Sequence, residues 1–148
     1  MLRDKLPAQV AAVQADHADG IVVPEPHTDS YLVGDRSKFP EHFPMILFLP
    51  QDADLFEEEG ESRMGIEKWD IMVAFIHSSE RSEEDAIMEL DHLVQAVQET
   101  ILDNHTLDDA TGAIFDAYPF HKAYGSLLTD GAATIQEAQL RIRVGTCP

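Results

Sequence analysis

By residue type, the seven histidines are best suited to hold a metal or move a proton: His17, His27, His42, His77, His92, His105 and His121. No two stand at the i, i+4 spacing that puts two ligands on one helix face, and there is no H-E-x-x-H. They read as scattered surface residues, His92 included, because its wheel position flanks the polar side of its helix. The second candidate is the run from Gln51 to Arg63, with Asp52, Asp54, Glu57, Glu58, Glu59 and Glu61. As a calcium loop starting at Asp52 it fails at Phe56, at Glu57 where glycine must turn the chain, and at Arg63 where a bidentate glutamate belongs.

Other chemistries are equally unsupported. The sequence has no phosphate-cradling glycine loop, no dinucleotide fingerprint and no G-x-S-x-G elbow. The one cysteine, Cys147, cannot form an intrachain disulfide and suits a loose tail better than a buried nucleophile. Carboxylates are numerous, but spacing singles out no pair. No catalytic, cofactor-binding or metal residue is therefore assigned, and the chain reads as a non-enzyme that needs no cofactor.

The 148 residues fit one domain, 44% of them hydrophobic, which is enough for a core. The net charge of −18, from 28 acidic against 10 basic side chains, argues against wrapping nucleic acid, which needs cations to replace counterions. It also argues against docking on an anionic membrane. The first residues lack the apolar core of a signal peptide. No apolar run reaches the ~18 residues of a membrane helix. The expectation is a soluble protein, intracellular when made.

The elements are organised around GIEKWDIMVAFIH, residues Gly65 to His77. Trp69, Ile71, Val73 and Phe75 share one face of a strand. Ile71 to Ile76 has no polar residue, which fits a strand covered on both faces. One cover can be a helix of the same chain; the other must be a second layer or another subunit. Before it, residues 2–19 predict a helix that starts near Pro7 and stops at Gly20. A short strand is read at Ile21–Val23, then an extended loop over 24–44 with at most a strand at Tyr31–Val33. That loop is either an ordinary surface loop or an arm that orders against a neighbouring subunit. Met45–Leu49 predicts a strand ended by Pro50. The acidic segment 51–63 then forms a projecting hairpin loop between antiparallel neighbours.

Ser82 is a good N-cap, with Glu83, Glu84 and Asp85 in a first turn where the helix dipole favours acids. The helix runs to about Asn104, with Ile87, Leu90, Leu93, Val94, Val97 and Ile101 in one stripe and Glu89, Gln95 and Thr100 opposite. A strand over 113–118 ends at Pro119. Residues 120–131 are irregular, with a turn at Asp130–Gly131. The last strand, 133–144, turns Ala138, Leu140, Ile142 and Val144 one way and Gln139, Arg141 and Arg143 the other. Arg141 and Arg143 form either a solvent face or a contact with an acidic neighbour. Tyr118, Pro119, Phe120 and Tyr124 form an aromatic cluster, read as a core edge under a long loop or as a subunit contact. The fold class is α+β: a mostly antiparallel sheet packed by one long amphipathic helix plus an N-terminal helix.

This layout resembles that of the tail terminator proteins of long-tailed bacteriophages. The phrases that carry the likeness are GIEKWDIMVAFIH, EEDAIMELDHLVQAVQETI and AATIQEAQLRIRVGT. The likeness is one of layout and texture over most of the chain; neck and head-completion proteins share the same elements. It implies a structural virion protein in the tail-neck region, assembled in the host cytoplasm. Such proteins form a hexameric ring that caps the tail tube, stops its polymerisation and joins it to the head–tail connector. Implied partners are further copies of the chain, the tail tube protein and a connector or neck protein, with a sheath terminal ring as a further candidate. DNA passes through the lumen without specific binding. The candidate interface or lumen residues are Asp52, Asp54, Glu57, Glu58, Glu59, Glu61, Arg141 and Arg143. The family shares no catalytic site, so none is carried over. A soluble small-ligand protein or enzyme, which needs a concave apolar pocket, is an alternative from another class. An acidic adaptor or DNA mimic, with carboxylates in a phosphate-like array, is a third.

Overall fold

The structure, a computed structural model, describes residues 1–34, 42–55, 67–125 and 127–147. These hold two α-helices and six strands: α1 (Leu2–His17), β1 (Tyr31–Val33), β2 (Met45–Leu55), β3 (Glu67–Ser79), α2 (Glu83–Asp103), β4 (Ile114–Tyr124), β5 (Leu128–Asp130) and β6 (Ala133–Thr146). The sheet runs β1-β2-β3-β6-β4, with β5 also on β6. Only β1–β2 is a parallel pair; β2–β3, β3–β6, β4–β6 and β5–β6 are antiparallel. This is the expected α+β class.

The organising strand is β3, which pairs with β6 without a break from Glu67↔Thr146 to Ser79↔Thr134. That register puts Val73 opposite Leu140 and Phe75 opposite Ala138, all buried. On β6 the buried residues alternate as the sequence predicts, with Arg141 and Arg143 on the other face. β3 and β4 both run antiparallel to β6 and flank it, so α2 crosses over β6 to connect them. Gly131 (φ 61°) supplies the left-handed residue of the tight β5–β6 turn, next to Asp130 as expected.

Helix α2 opens as predicted, with the Ser82 hydroxyl accepting from the Asp85 N–H at 3.1 Å. Its buried surface is much wider than the predicted stripe. Ala86, Glu89, His92, Ala96 and Thr100 are buried along with Leu90, Leu93, Val94, Val97 and Ile101. On a wheel of 100° per residue these cover an arc of about 200°. The reason is α1, which packs beside α2 and buries Leu6, Val10 and Val13 in the same core. Thr100 is therefore not on a solvent face, nor is Glu89, which faces His77 of β3, and Ile87 is 39% exposed.

Prolines misled the element boundaries. Helix α1 starts at Leu2, so Pro7 lies inside it. Packing of Met1, Leu2 and Leu6 against the core outweighs one missing hydrogen bond near the helix start. The helix stops at Ala18 (φ 48°), not Gly20. Residues 21–23 form no strand, because Gln14 Oε1 accepts the Val23 N–H and Asp19 Oδ1 accepts that of Ile21. Strand β2 runs through Pro50 and β4 through Pro119, each beside a break in register. Both prolines sit where the strand has a free edge: β1 reaches only Phe48, and β4 is the last strand. Edges tolerate proline and bulges.

Leu93→Ala should destabilise the chain by about 2–5 kcal/mol. Ile87→Ala should cost about 1 kcal/mol or less. Urea unfolding of the two variants compares them, and equal costs would contradict the packing of α2 described here.

Candidate functional site

Alternation along β2, β3 and β6 builds a second sheet face opposite the helices. It carries Met45, Leu47 and Leu49 on β2, Asp70, Met72, Ala74 and Ile76 on β3, and Gln139, Arg141 and Arg143 on β6. Met45, Leu47 and Met72 are buried, yet none belongs to the core cluster formed with the helices. Leu49, Ala74 and Ile76 are half-buried. Among the described residues no helix lies on this face. A groove of about 250 Å³ runs along it, lined by Met45, Leu47, Ala74, Ile76, Glu137 and Gln139.

The charged end of this face is built around Arg143. Its Nε and Nη2 donate to the two oxygens of Asp70 at 2.7 and 2.9 Å, from the directly opposed position on β3. Its guanidinium lies 5.1 Å from the centre of the Phe120 ring on β4. One arginine thus ties three strands together, using the planar fork that lysine lacks. The Arg143 hydrogen bonds hold the Asp70 carboxyl below its ordinary range; burial opposes this, while the charges of Arg143 and Arg141 support it. Arg141 is exposed, opposite Met72 and His121, and has no ion-pair partner among the described residues.

Tyr118 and Phe120 on the β4 edge continue this surface, whereas Tyr124, opposite Ala138, turns to the helix side. Tyr118, Phe120 and Tyr124 are 39%, 43% and 41% exposed, so the aromatic cluster is not a core edge under a loop. The residues form an edge strand instead, which neither the proline nor the aromatic composition made evident. The Tyr124 hydroxyl donates to Asp91 on α2. Burial first, then this bond and the Asp91 charge, push the hydroxyl far above its ordinary pKa. For Asp91, burial acts upward, but the Tyr124 bond and Lys122 lower the carboxyl overall.

Of the predicted interface acids, Asp52 and Asp54 lie on the part of β2 near the bulge, with Asp54 opposite Lys68. Glu57, Glu58, Glu59 and Glu61 lie outside the described residues, as does the projecting part of the acidic loop. Arg141 and Arg143 share the second sheet face, but Arg143 is engaged within the chain.

Two histidines depart from the surface expectation. His77 on β3 and Glu89 on α2 are both buried and lie 2.7 Å apart, with Arg81 Nε 3.7 Å from the same carboxylate. At that depth the pair joins α2 to β3. His92 is 1% exposed and lies against His17 and Asp19 from the end of α1. Spacing could not reveal this group, since its members come from two chain segments.

A further concavity of about 620 Å³ lies on the helix side. It opens between the start of α1 and the sheet and is lined by Leu2, Arg3, Tyr31, Phe48, Ile71 and Val144 among others. The Arg3 guanidinium stands 5.6 Å from the centre of the Tyr31 ring at its mouth. Burial first, then Glu25, raise the Tyr31 hydroxyl pKa, with Arg3 opposing. Among the described residues no helix is long and apolar enough to cross a membrane.

No protein-family profile matches this chain, and no curated protein does. Among solved structures, a chain of the virion of the native gene transfer agent particle is similar over 99% of this chain and 95% of its own length. The identity is 10% and the TM-score 0.46.

Asp70→Asn should lower stability at neutral pH. A carboxylate with a depressed folded-state pKa stabilises above its unfolded pKa, near 3.9, and loses that contribution as pH falls through the folded value. The deficit of the variant should therefore shrink between about pH 5 and pH 2. Urea midpoints across this range test it; a constant deficit would assign the loss to packing instead of charge.

Proposed function

We propose that this chain is a structural virion protein of a phage-like particle: a tail terminator that forms a ring, caps the tail tube and joins it to the connector. The observation that carries this reading is the rim of the second sheet face, where Leu49, Ala74 and Ile76 are half-buried and Tyr118 and Phe120 of β4 are exposed. Met45, Leu47 and Met72 are already buried within the chain, so the surface offered to a partner is this half-buried rim with the aromatic edge of β4 beside it. Aromatic and apolar surface with an arginine at its margin suits a protein contact. A sheet face on one copy meeting a different surface on the next is a heterologous contact, which closes into a ring when the rotation allows. The three stretches that resemble tail terminators are β3, α2 and β6, the central sandwich that holds this face. The net charge of −18 fits a lumen through which DNA slides without sticking. A head-completion or neck adaptor would use the same surfaces.

A second reading rests on the concavity at the start of α1. Its volume and apolar lining suit a small ligand, with Arg3 and Tyr31 as polar groups at the mouth. It predicts that a medium-chain carboxylate raises the melting temperature and that Arg3→Ala removes the rise. No shift in the parent chain would dismiss it.

The ring is tested by light scattering, negative-stain imaging and addition of purified tail tubes. Six copies of the 16.5 kDa chain should weigh about 99 kDa, alone or on the tube end. Ile76→Glu should leave the circular dichroism spectrum unchanged but abolish both ring formation and tube capping. A monomer that neither binds tubes nor halts their growth would end the terminator reading.

A further inference from the structure

We propose that His17, Asp19 and His92 form a binding site for a divalent transition metal of the zinc class, which clamps α1 to α2. One donor atom from each residue lies within 4.8 Å of the other two. The imidazoles of His17 and His92 are stacked with centroids 4.0 Å apart, and His92 Nε2 stands 3.4 Å from Asp19 Oδ2. Two imidazoles and one carboxylate suit zinc, cobalt, nickel or copper, whereas calcium and magnesium require oxygen donors.

The unpartnered state of His92 carries the argument. Its side chain is 1% exposed, and neither ring nitrogen has a hydrogen-bond partner. Buried polar groups are normally paired, and a metal on Nε2 would remove one of these two deficits. Neighbouring hydrogen bonds constrain the other two donors. Gln9 Nε2 donates to Glu99 Oε2, and Gln95 Nε2 donates to Glu99 Oε1 at 2.8 Å. This turns the Gln95 carbonyl toward His17 Nε2, 2.8 Å away. His17 Nε2 must then carry the proton, which leaves Nδ1 with the lone pair a metal needs. Asp19 Oδ1 accepts from the Ile21 N–H at 3.0 Å, which leaves Oδ2 toward His92. The left-handed Ala18 between His17 and Asp19 turns the chain so that both face α2.

A four-coordinate zinc with nitrogen donors at about 2.0–2.1 Å holds them roughly 3.3 Å apart. The cluster must therefore contract on binding, and the exposed His17 ring must tilt out of its stack on His92 so that the two in-plane lone pairs converge. His17 and Asp19 are exposed at a helix end and can move, while His92 is held in the core. Three protein donors leave the fourth position for water.

The site lies on the helix side, away from the second sheet face, so its test is independent of assembly. The full chain, stripped with chelator, is titrated with zinc chloride by calorimetry and followed by thermal melting. One zinc per chain and a raised melting temperature are expected. His17→Ala and Asp19→Asn, both at exposed positions, should each weaken binding by at least about tenfold. His92→Phe should abolish it, and cobalt should give the visible spectrum of a four-coordinate site in the parent chain only. Absence of binding to the parent chain, or binding that His17→Ala and Asp19→Asn leave unchanged, would overturn the proposal. The cluster would then be a packing contact between the helices.

Discussion

The continuous antiparallel pairing of β3 with β6 is the constraint on which the rest of this structure depends. A slip of one residue would turn every side chain on either strand to the opposite face. Val73 and Phe75 would leave the core, and the arginines of β6 would enter it. With the register as it is, Leu140, Ile142 and Val144 meet the same layer as Val73 and Phe75, and α2 has a continuous apolar surface to cross. Helix α1 then has a flank of α2 to pack against. The core is therefore built outward from one strand pair.

The same pairing creates the second sheet face. A strand as apolar as Ile71–Ile76 cannot send all its side chains to one side, because alternate residues point opposite ways. Met72, Ala74 and Ile76 are the necessary counterpart of Val73 and Phe75. They form an apolar band on the second face, in which Met72 is buried and Ala74 and Ile76 are half-buried. At its end, Arg143 reaches Asp70 and Phe120 on the flanking strands, so this region holds its shape as an isolated chain. Arg141, on the same face, is left exposed toward solvent. Rigid surroundings and an exposed charge suit a surface that recognises a partner with little rearrangement.

The buried polar groups distinguish two kinds of histidine. His77 finds a carboxylate in Glu89, and that contact helps hold α2 on the sheet. His92 is equally buried but has neighbours in place of hydrogen-bond partners. Hydrogen bonding satisfies one ring nitrogen of His77 and neither of His92, which directs attention to the end of α1 and Asp19.

Much of the fold was legible in local pattern. Alternation on β3 and β6 set their faces, the stripe and Ser82 set α2 and its start, and Asp130–Gly131 marked the last turn. These are short-range properties, because side-chain direction repeats within a few residues. What lay beyond the sequence was which elements would meet. Pro50 and Pro119 read as stops because the free edges that tolerate them arise only from strand order. Thr100 and His92 read as solvent-facing because nothing near them in the chain announces that α1 will lie alongside, and Glu89 because nothing announces that His77 will meet it. The histidine–aspartate cluster was hidden for the same reason: its donors come from two helices, and only tertiary packing sets the distance between them.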